Sequence, residues 1–496
     1  MRGTRHSVWL AGAAAILSAA CGTPDNGADA DAGDAADVPA DVPVEEFFWD
    51  APPNADAVDG RVYNPWLVPP SSEIPVPRDW QLRRGIVHIH SPYSHDACDN
   101  EPFIDGVRNE ECFNQLREGL CATRQDFAFL SDHATLFADY EFPEVLLYAD
   151  GDTLIERGGL PVANRIPCPD GHDVIIAAGT ETGTMPLGLE HHVGDTPEAR
   201  HTAYDDASVA GVEALKAAGA MSFVYHTEEW EPATLIELPL DGVEIYNMHA
   251  NLMHSLDTVV LLISDLSRRP WRVPVPELGI AALFSESEED LYRWSLLVAV
   301  RRTTGVLATD VHRNTFNAES LDGERIDSYR RLTHWFANYV LLPAGDVDDL
   351  ALKDAIRHGR LYGCFDYLGY AIGFDFHAEA GASTYEMGDE VPGGAAATLR
   401  LALPEVYRLD PTGPQPAIRG RILRANDGAW DEVAAGTDDL QYAASPGVYR
   451  AEVRIVPEHL RTWLGSQADL YVVERVWIYS NPIYVDVTWP APPGTP

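Results

Sequence analysis

Short apolar runs recur between residues 85 and 308, rich in β-branched and aromatic side chains: 85–90, 127–131, 174–178, 221–225, 242–246 and 305–308. Their length and near-continuous apolarity predict buried parallel strands. Amphipathic stretches separate several of them. Residues 207–218 predict a helix that stops at Gly219, and residues 288–302 predict another with a basic end. Strand–helix alternation of this kind predicts an α/β fold. Residues 326–341 and 348–359 continue the helical style, the second closing at Gly359. After about residue 370 the pattern changes. Runs 398–403, 418–423, 448–456 and 470–479 alternate polar and apolar positions between Pro/Gly/Asp turns, which predicts a smaller, β-rich, sandwich-like C-terminal domain. There are no internal repeats.

The strand-like runs end on acidic and histidine residues. Those patches are His88 with His90, Asp132 with His133, Glu181, His191 with His192, His226, and Asp310 with His312. Each is weak taken alone: Asp132 could cap a turn, and Glu181 could be an ordinary surface carboxylate. Residues two apart on a strand point to one face, so His88/His90 and Asp310/His312 can each grip a single ion or neighbouring ions. His191 and His192 are adjacent and face opposite ways, so only one of them suits a ligand. In parallel α/β barrels the reactive groups gather at the C-terminal ends of the strands, and structural ion pairs have no reason to recur there. Packing so many acids and imidazoles together without a cation would be unfavourable. The pattern therefore predicts a polynuclear metal site at the mouth of an α/β barrel.

Length and charge narrow the picture. At 496 residues, two folded units plus tails are expected. The formal net charge is −42, and residues 21–60 hold eleven Asp/Glu and no Lys or Arg. Setting those aside, together with Arg2 and Arg5, leaves −33 for residues 61–496. Such a field repels phosphate backbones and anionic lipid, so nucleic acid is not an expected partner and a small-molecule substrate is. Residues 1–21 read as an export signal: a basic start, an apolar stretch over 8–20 that is too short to span a bilayer, and a lipobox-like Leu17-Ser-Ala-Ala-Cys21. Cys21 would then carry a lipid anchor, the expected means of membrane association. Acidic residues 22–75 predict a solvated linker, 76–370 the barrel, 371–487 the C-terminal domain and 488–496 a tail. Export permits disulfides. Cys98, Cys112, Cys121 and Cys168 could make two bridges in any of three pairings, leaving Cys364 over.

The ordered series HIHSPYS-HD, FLSDH, GTE, HHVG, VYH and TDVH resembles the PHP (polymerase and histidinol phosphatase) metallohydrolases over roughly residues 80–310. LKDAIRHGRLYGCF, YEMGDEV and VWIYSNPIYV, within 350–485, resemble the carbaryl-hydrolase-like (CehA/McbA) branch. The resemblance implies a distorted (β/α)7 barrel holding two or three divalent ions, Zn, Mn or Fe. The ligands it implies are His88, His90, Asp96, His133, Glu181, His191 or His192, His226, Asp310 and His312. In this chain His95 occupies the place usual for the first-motif aspartate, with Asp96 one residue later, so either could be the ligand. The insertion between Asp96 and Asp132 is expected to form a stapled loop beside the site.

Ions held this way would acidify water and polarise a P=O or C=O group. His226 or His312 would supply a proton to the leaving group if not fully engaged as ligands. No phosphate loop, GxSxG elbow or dinucleotide fingerprint occurs. The expected activity is hydrolysis of a phosphoester or of a carboxyl or carbamate ester by an exported enzyme. A non-catalytic binding protein on the same scaffold and an exonuclease-like phosphodiesterase are the alternatives.

Overall fold

The computed structural model describes residues 63–489 apart from 255–257, 259, 263–264, 266–274, 317–318, 321 and 395. The export signal, Cys21 and most of the acidic linker lie outside the described residues. The described residues belong to one unit, Asp50–Pro496, with mixed α/β structure around a large sheet.

Five strands form the parallel centre: β1 (Trp80–Ile89), β2 (Phe127–Phe129), β5 (Asp173–Gly179), β8 (Gly242–Asn247) and β9 (Thr304–Val311). β8 and β9 are buried at every position, as expected for strands covered on both faces. The order is β8-β9-β1-β2-β5, with Gly242 opposite Thr304, Val87 opposite Ala308, Gly85 opposite Phe127 and Phe127 opposite Ile175. All five carboxyl ends therefore reach the same edge. A hairpin of β3 (Thr153–Arg157) and β4 (Leu160–Pro167) lies beside the start of β5.

Among the described residues the strands of the expected distorted (β/α)7 barrel do not close into a ring. β6 (Met185–Leu189) follows β5 after only residues 180–184, too few for a helical crossover, so it returns antiparallel, and β7 (Met221–Phe223) is antiparallel to β6. Among the described residues no ladder joins β7 to β8. One backbone bond, Asp241 N–H to Ser222 O at 2.7 Å, and one from Ser222 N–H to Asp241 Oδ2 at 2.8 Å stand where a closed ring would have a ladder.

The helices 207–218 and 288–302 appear as α2 (Val209–Ala217) and α3 (Glu288–Val298). Residues 326–341 are only partly helical. α4 (Tyr329–His334) is followed by strand β10 (Ala337–Pro343), antiparallel to the first half of β1. The run Ala-Asn-Tyr-Val-Leu-Leu is buried throughout, so pairing in the sheet overrides the helical spacing. α5 (Asp349–His358) ends as expected on Gly359, whose φ of +82° suits glycine.

Across residue 370 the large sheet continues, because β11 (Leu361–Cys364) pairs antiparallel with Arg475–Ser480, opposing Tyr362 to Ser480. Ala417–Asn426 and Gly447–Val456 extend it, while Asp375–Ala380, Ser383–Glu386, Ala397–Ala402 and Leu440–Ala444 make a second sheet of four strands. The strand expected over 470–479 begins only at Arg475, and residues Ala468–Tyr471 are a short helix.

The stapled insertion after Asp96 contains a helix, α1 (Glu110–Ala122), capped by Asn109, whose side chain accepts from Cys112 N–H. Bridges Cys98–Cys112 and Cys121–Cys168 pin its two ends, and Cys364 is free and buried. Gly119 lets α1 approach the backbone of α4, where a Cβ would meet Arg330 N at 2.7 Å.

Candidate metal centre

The C-terminal edge of the parallel strands carries the donors, and a bulge sets their aim. Val87 pairs with Ala308 and Ile89 with Val311, so His88 alone opposes Thr309 and Asp310. An extra residue of this kind re-aims side chains at a strand end. His88 and Asp310 both take left-handed backbone there, φ +63° and +52°, as does His226 (+46°) just beyond β7. Non-glycine residues enter that region at a cost of about 1–3 kcal/mol each and cluster where a site demands it. Thr309 Oγ1 donates to His88 O at 2.6 Å and locks the bulge.

Three overlapping donor groups result: His88, His90, Glu181 and Asp310; His90, Asp96, His133 and His312; and His226, His249 and Asp310. In the first, His88 Nε2 lies 2.8 Å from Glu181 Oε2 and 3.1 Å from Asp310 Oδ1, and His90 Nε2 lies 3.0 and 3.3 Å from the same oxygens. In the second, Asp96 Oδ2 is 3.1 Å from His133 Nε2 and 3.3 Å from His312 Nε2. In the third, Asp310 Oδ2 is 3.1 Å from His226 Nε2 and 3.3 Å from His249 Nδ1. Ligands bound at 2.0–2.1 Å stand about 3.3 Å apart around a tetrahedral ion and about 2.9 Å apart around an octahedral one. The donor spacing is that of a coordination shell.

The donor chemistry passes the same test. Among the described residues no Lys or Arg pairs with Asp96, Glu181 or Asp310; their ion-pair partners are all histidines. The polar neighbours of the buried Asp310 Oδ1 are imidazole nitrogens, and that of His312 Nε2 is the Asp96 carboxylate. His88 Nε2 and His90 Nε2 face each other at 3.2 Å, an arrangement two ring N–H groups cannot share. Burial opposes charge throughout. Even so, the carboxylates Asp310, Glu244 and Glu181 hold His88 well above the usual imidazole range, and Asp96 with Glu181 holds His133 up at about 10. Burial would likewise raise Asp310 and Glu181, but His88 foremost keeps both carboxylates well below their ordinary range. Without a cation, protons on imidazoles must supply the positive charge. Divalent ions suit the same place.

A second layer fixes the ring orientations, as metal-ligating histidines require. His88 Nδ1 contacts Glu244 Oε1 within the core of β8, and Glu244 Oε2 accepts from His226 N–H at 2.9 Å and from Asn247 Nδ2 at 3.0 Å. His133 Nδ1 faces Glu181 O at 2.9 Å. Ser94 Oγ lies 3.1 Å from His90 Nδ1 and donates to Asp96 Oδ1 at 2.8 Å. Tyr329 of α4 donates to His90 O at 2.9 Å. Asp132 is occupied elsewhere, accepting from Ser91 N–H at 2.6 Å and Ser91 Oγ at 2.7 Å, so it secures the turn after β1.

The structure brings His88, His90, Asp96, His133, Glu181, His226, Asp310 and His312 together, and it corrects the sequence reading at several points. Neither His191 nor His192 joins a donor group. His192 has Nδ1 2.7 Å from Tyr204 Oη and Nε2 2.7 Å from Tyr140 O, and His191 is exposed. Between the two first-motif alternatives, Asp96 turns inward, whereas His95 is exposed against Thr135 Oγ1 at 2.9 Å. His226 Nδ1 faces Glu228 at 3.3 Å and His312 Nδ1 faces Asp310 O at 3.0 Å, with each Nε2 inside a donor group. Sequence reasoning missed His249 and Glu244. His249 stands two residues beyond the β8 run, the same strand-end signal applied elsewhere, and Glu244 is a lone carboxylate inside an apolar strand.

No family model matches the chain, and no curated relative does. Among solved structures, a two-domain protein of Bacteroides vulgatus, described as containing a predicted PHP-like metal-dependent phosphoesterase, aligns over 77% of this chain and 92% of its own at 11% identity and a TM-score of 0.27. Superposition that loose carries no argument about fold or chemistry.

Proposed function

We propose that this chain is an exported, metal-dependent hydrolase of PHP type, holding two or three divalent ions and cleaving a phosphoester or a carboxyl or carbamate ester. The observation that carries the reading is the set of three overlapping donor groups, the first sharing His90 with the second and Asp310 with the third, built where parallel strands end. Zn, Mn or Fe would fit the mixed imidazole and carboxylate donors. His88, His90, Glu181 and Asp310 would hold one ion, Asp96, His133 and His312 a second beside His90, and His226 and His249 a third against Asp310. Bound ions would supply acidified water and a Lewis-acid centre for the substrate's P=O or C=O. Glu244 keeps His88 Nε2 aimed inward, Ser94 orients His90 and Asp96, and the Glu181 and Asp310 carboxylates carry the negative charge that balances the cations. The strongly acidic chain favours a small substrate over nucleic acid. Anchoring through a lipid at Cys21, and membership of the carbaryl-hydrolase-like branch, belong to the same proposal.

The test is metal analysis of the purified protein together with hydrolysis of p-nitrophenyl phosphate, bis-p-nitrophenyl phosphate and 1-naphthyl methylcarbamate. Two to three equivalents of divalent metal and chelator-sensitive turnover of at least one ester are expected. Turnover that persists in metal-free protein would overturn the reading.

A further inference from the structure

Asp96 reaches its group from an unusual turn. The three residues Cys98, Asp99 and Asn100 take left-handed backbone in succession, φ +58°, +61° and +64°, a region that side chains with a Cβ enter only under constraint. The constraints are visible. Cys98 N–H donates to His312 O and Asp99 N–H to Arg313 O, each at 3.0 Å. Arg325 grips the Asp99 carboxylate with both Nη atoms at 2.6 and 2.8 Å. The buried Cys98–Cys112 bridge ties the turn to the first turn of α1. These contacts join the segment that carries Asp96 to the segment that carries His312, so two of the donors are held relative to each other through the turn. The donors of the first group need no such device, because His88 and Asp310 are set by the bulge between β1 and β9.

We infer that the Cys98–Cys112 disulfide is a positioning element for one ion position, that of Asp96, His133 and His312, so that the occupancy of this position depends on the bridge. The inference rests on the metal reading above and goes beyond it by coupling one position to a covalent link that contributes no ligand. The Cys121–Cys168 bridge supplies the internal comparison. It ties the far end of α1 to the end of β4 and touches no donor-bearing segment.

The experiment compares metal equivalents, and Mn2+ and Zn2+ titrations, for the full chain and for the variants Cys98→Ser/Cys112→Ser, Cys121→Ser/Cys168→Ser and Asp96→Asn, with folding followed by circular dichroism. The first double variant should lose one equivalent, or hold it at least tenfold more weakly, and keep the others. Asp96→Asn should reproduce that loss, and Cys121→Ser/Cys168→Ser should keep every equivalent. Should the first double variant not fold, Asp99→Ala loosens the same turn without touching a cysteine and should weaken the same equivalent. A folded Cys98→Ser/Cys112→Ser protein with unchanged equivalents and affinities would overturn the inference. So would equal losses in both serine pairs, which would indicate general loosening of α1. A wild-type chain that binds no metal at all would instead sink the proposed function.

Discussion

Two clusters among the described residues bring carboxylates within metal-binding distance, and they differ in what neutralises them. Glu277, Asp322 and Glu324 form one. Arg331, fully buried, reaches Glu277 at 3.1 Å, Asp322 at 2.9 Å and Glu324 at 3.3 Å, while Arg330 reaches Glu277 at 2.7 Å and also contacts Glu324. Burial would raise the Glu277 carboxyl, but Arg331 and Arg330 hold it below its ordinary range. That cluster carries its own cations. Among the described residues, the strand-end centre has carboxylates and imidazoles but no Lys or Arg among the ion-pair partners of Asp96, Glu181 and Asp310. Proximity of acids is thus a poor guide to metal binding. An unneutralised set with coordination-shell spacing is a better one.

The comparison can be broken most severely by replacing His88 and His90 with alanine. Metal should be lost from the centre and turnover should fall by roughly a thousandfold or more, read by metal analysis and initial rates on a protein whose circular dichroism is unchanged. Glu244→Gln keeps every donor but weakens the partner of His88 Nδ1, and metal affinity should drop about 10- to 100-fold in competition titrations. His249→Ala should remove one ion and leave the rest, whereas His192→Ala, which empties no donor group, should change neither stoichiometry nor affinity. A role for His192 as ligand would reverse that pair of results.

Acidity sharpens the contrast further. In the metal-free protein His133 is held up at about 10, as burial is outweighed by Asp96 and Glu181, so near neutrality its ring is protonated and metal must displace that proton. Apparent affinity should therefore rise with pH up to about 10 and fall on acidification, by about tenfold per pH unit for each proton displaced, and calorimetry in buffers of different ionisation enthalpy would count those protons. The smallest effect on metal is expected at the other cluster. Glu277→Gln should leave metal content untouched while destabilising the fold by about 3 kcal/mol or more, because it strips charge from a buried ion-pair network, as thermal or urea unfolding would show.

Much of the site was legible in the linear chain because its signals are local. A His, Asp or Glu closing a buried apolar run is visible as spacing, and seven of the donors brought together carry that signal, whereas Asp96 was reached through the resemblance. His249 satisfied the same rule but follows a run, 242–246, whose own last residues are unremarkable, and Glu244 is hidden by its apolar neighbours. The helical reading of 326–341 failed over Ala337–Pro343 for a related reason, since its partner on β1 lies some 250 residues away in sequence, with Leu82 opposite Leu341, and no local pattern reports it.

What the order of residues determined by itself was the chemistry on offer: which side chains end the strands, where helices cap and stop, which cysteines can bridge, and that the chain is heavily acidic. Tertiary structure decided which of those groups meet. It chose Asp96 over His95 by a turn tied to α1, and it admitted His249 while spending His192 on Tyr204 and Tyr140. It also turned β6 back antiparallel to β5, since a five-residue link cannot carry a crossover. Local preference is set by neighbours within a few residues, whereas a coordination shell is set by angstrom-scale placement of atoms that lie tens to hundreds of residues apart, and only the packed fold supplies that.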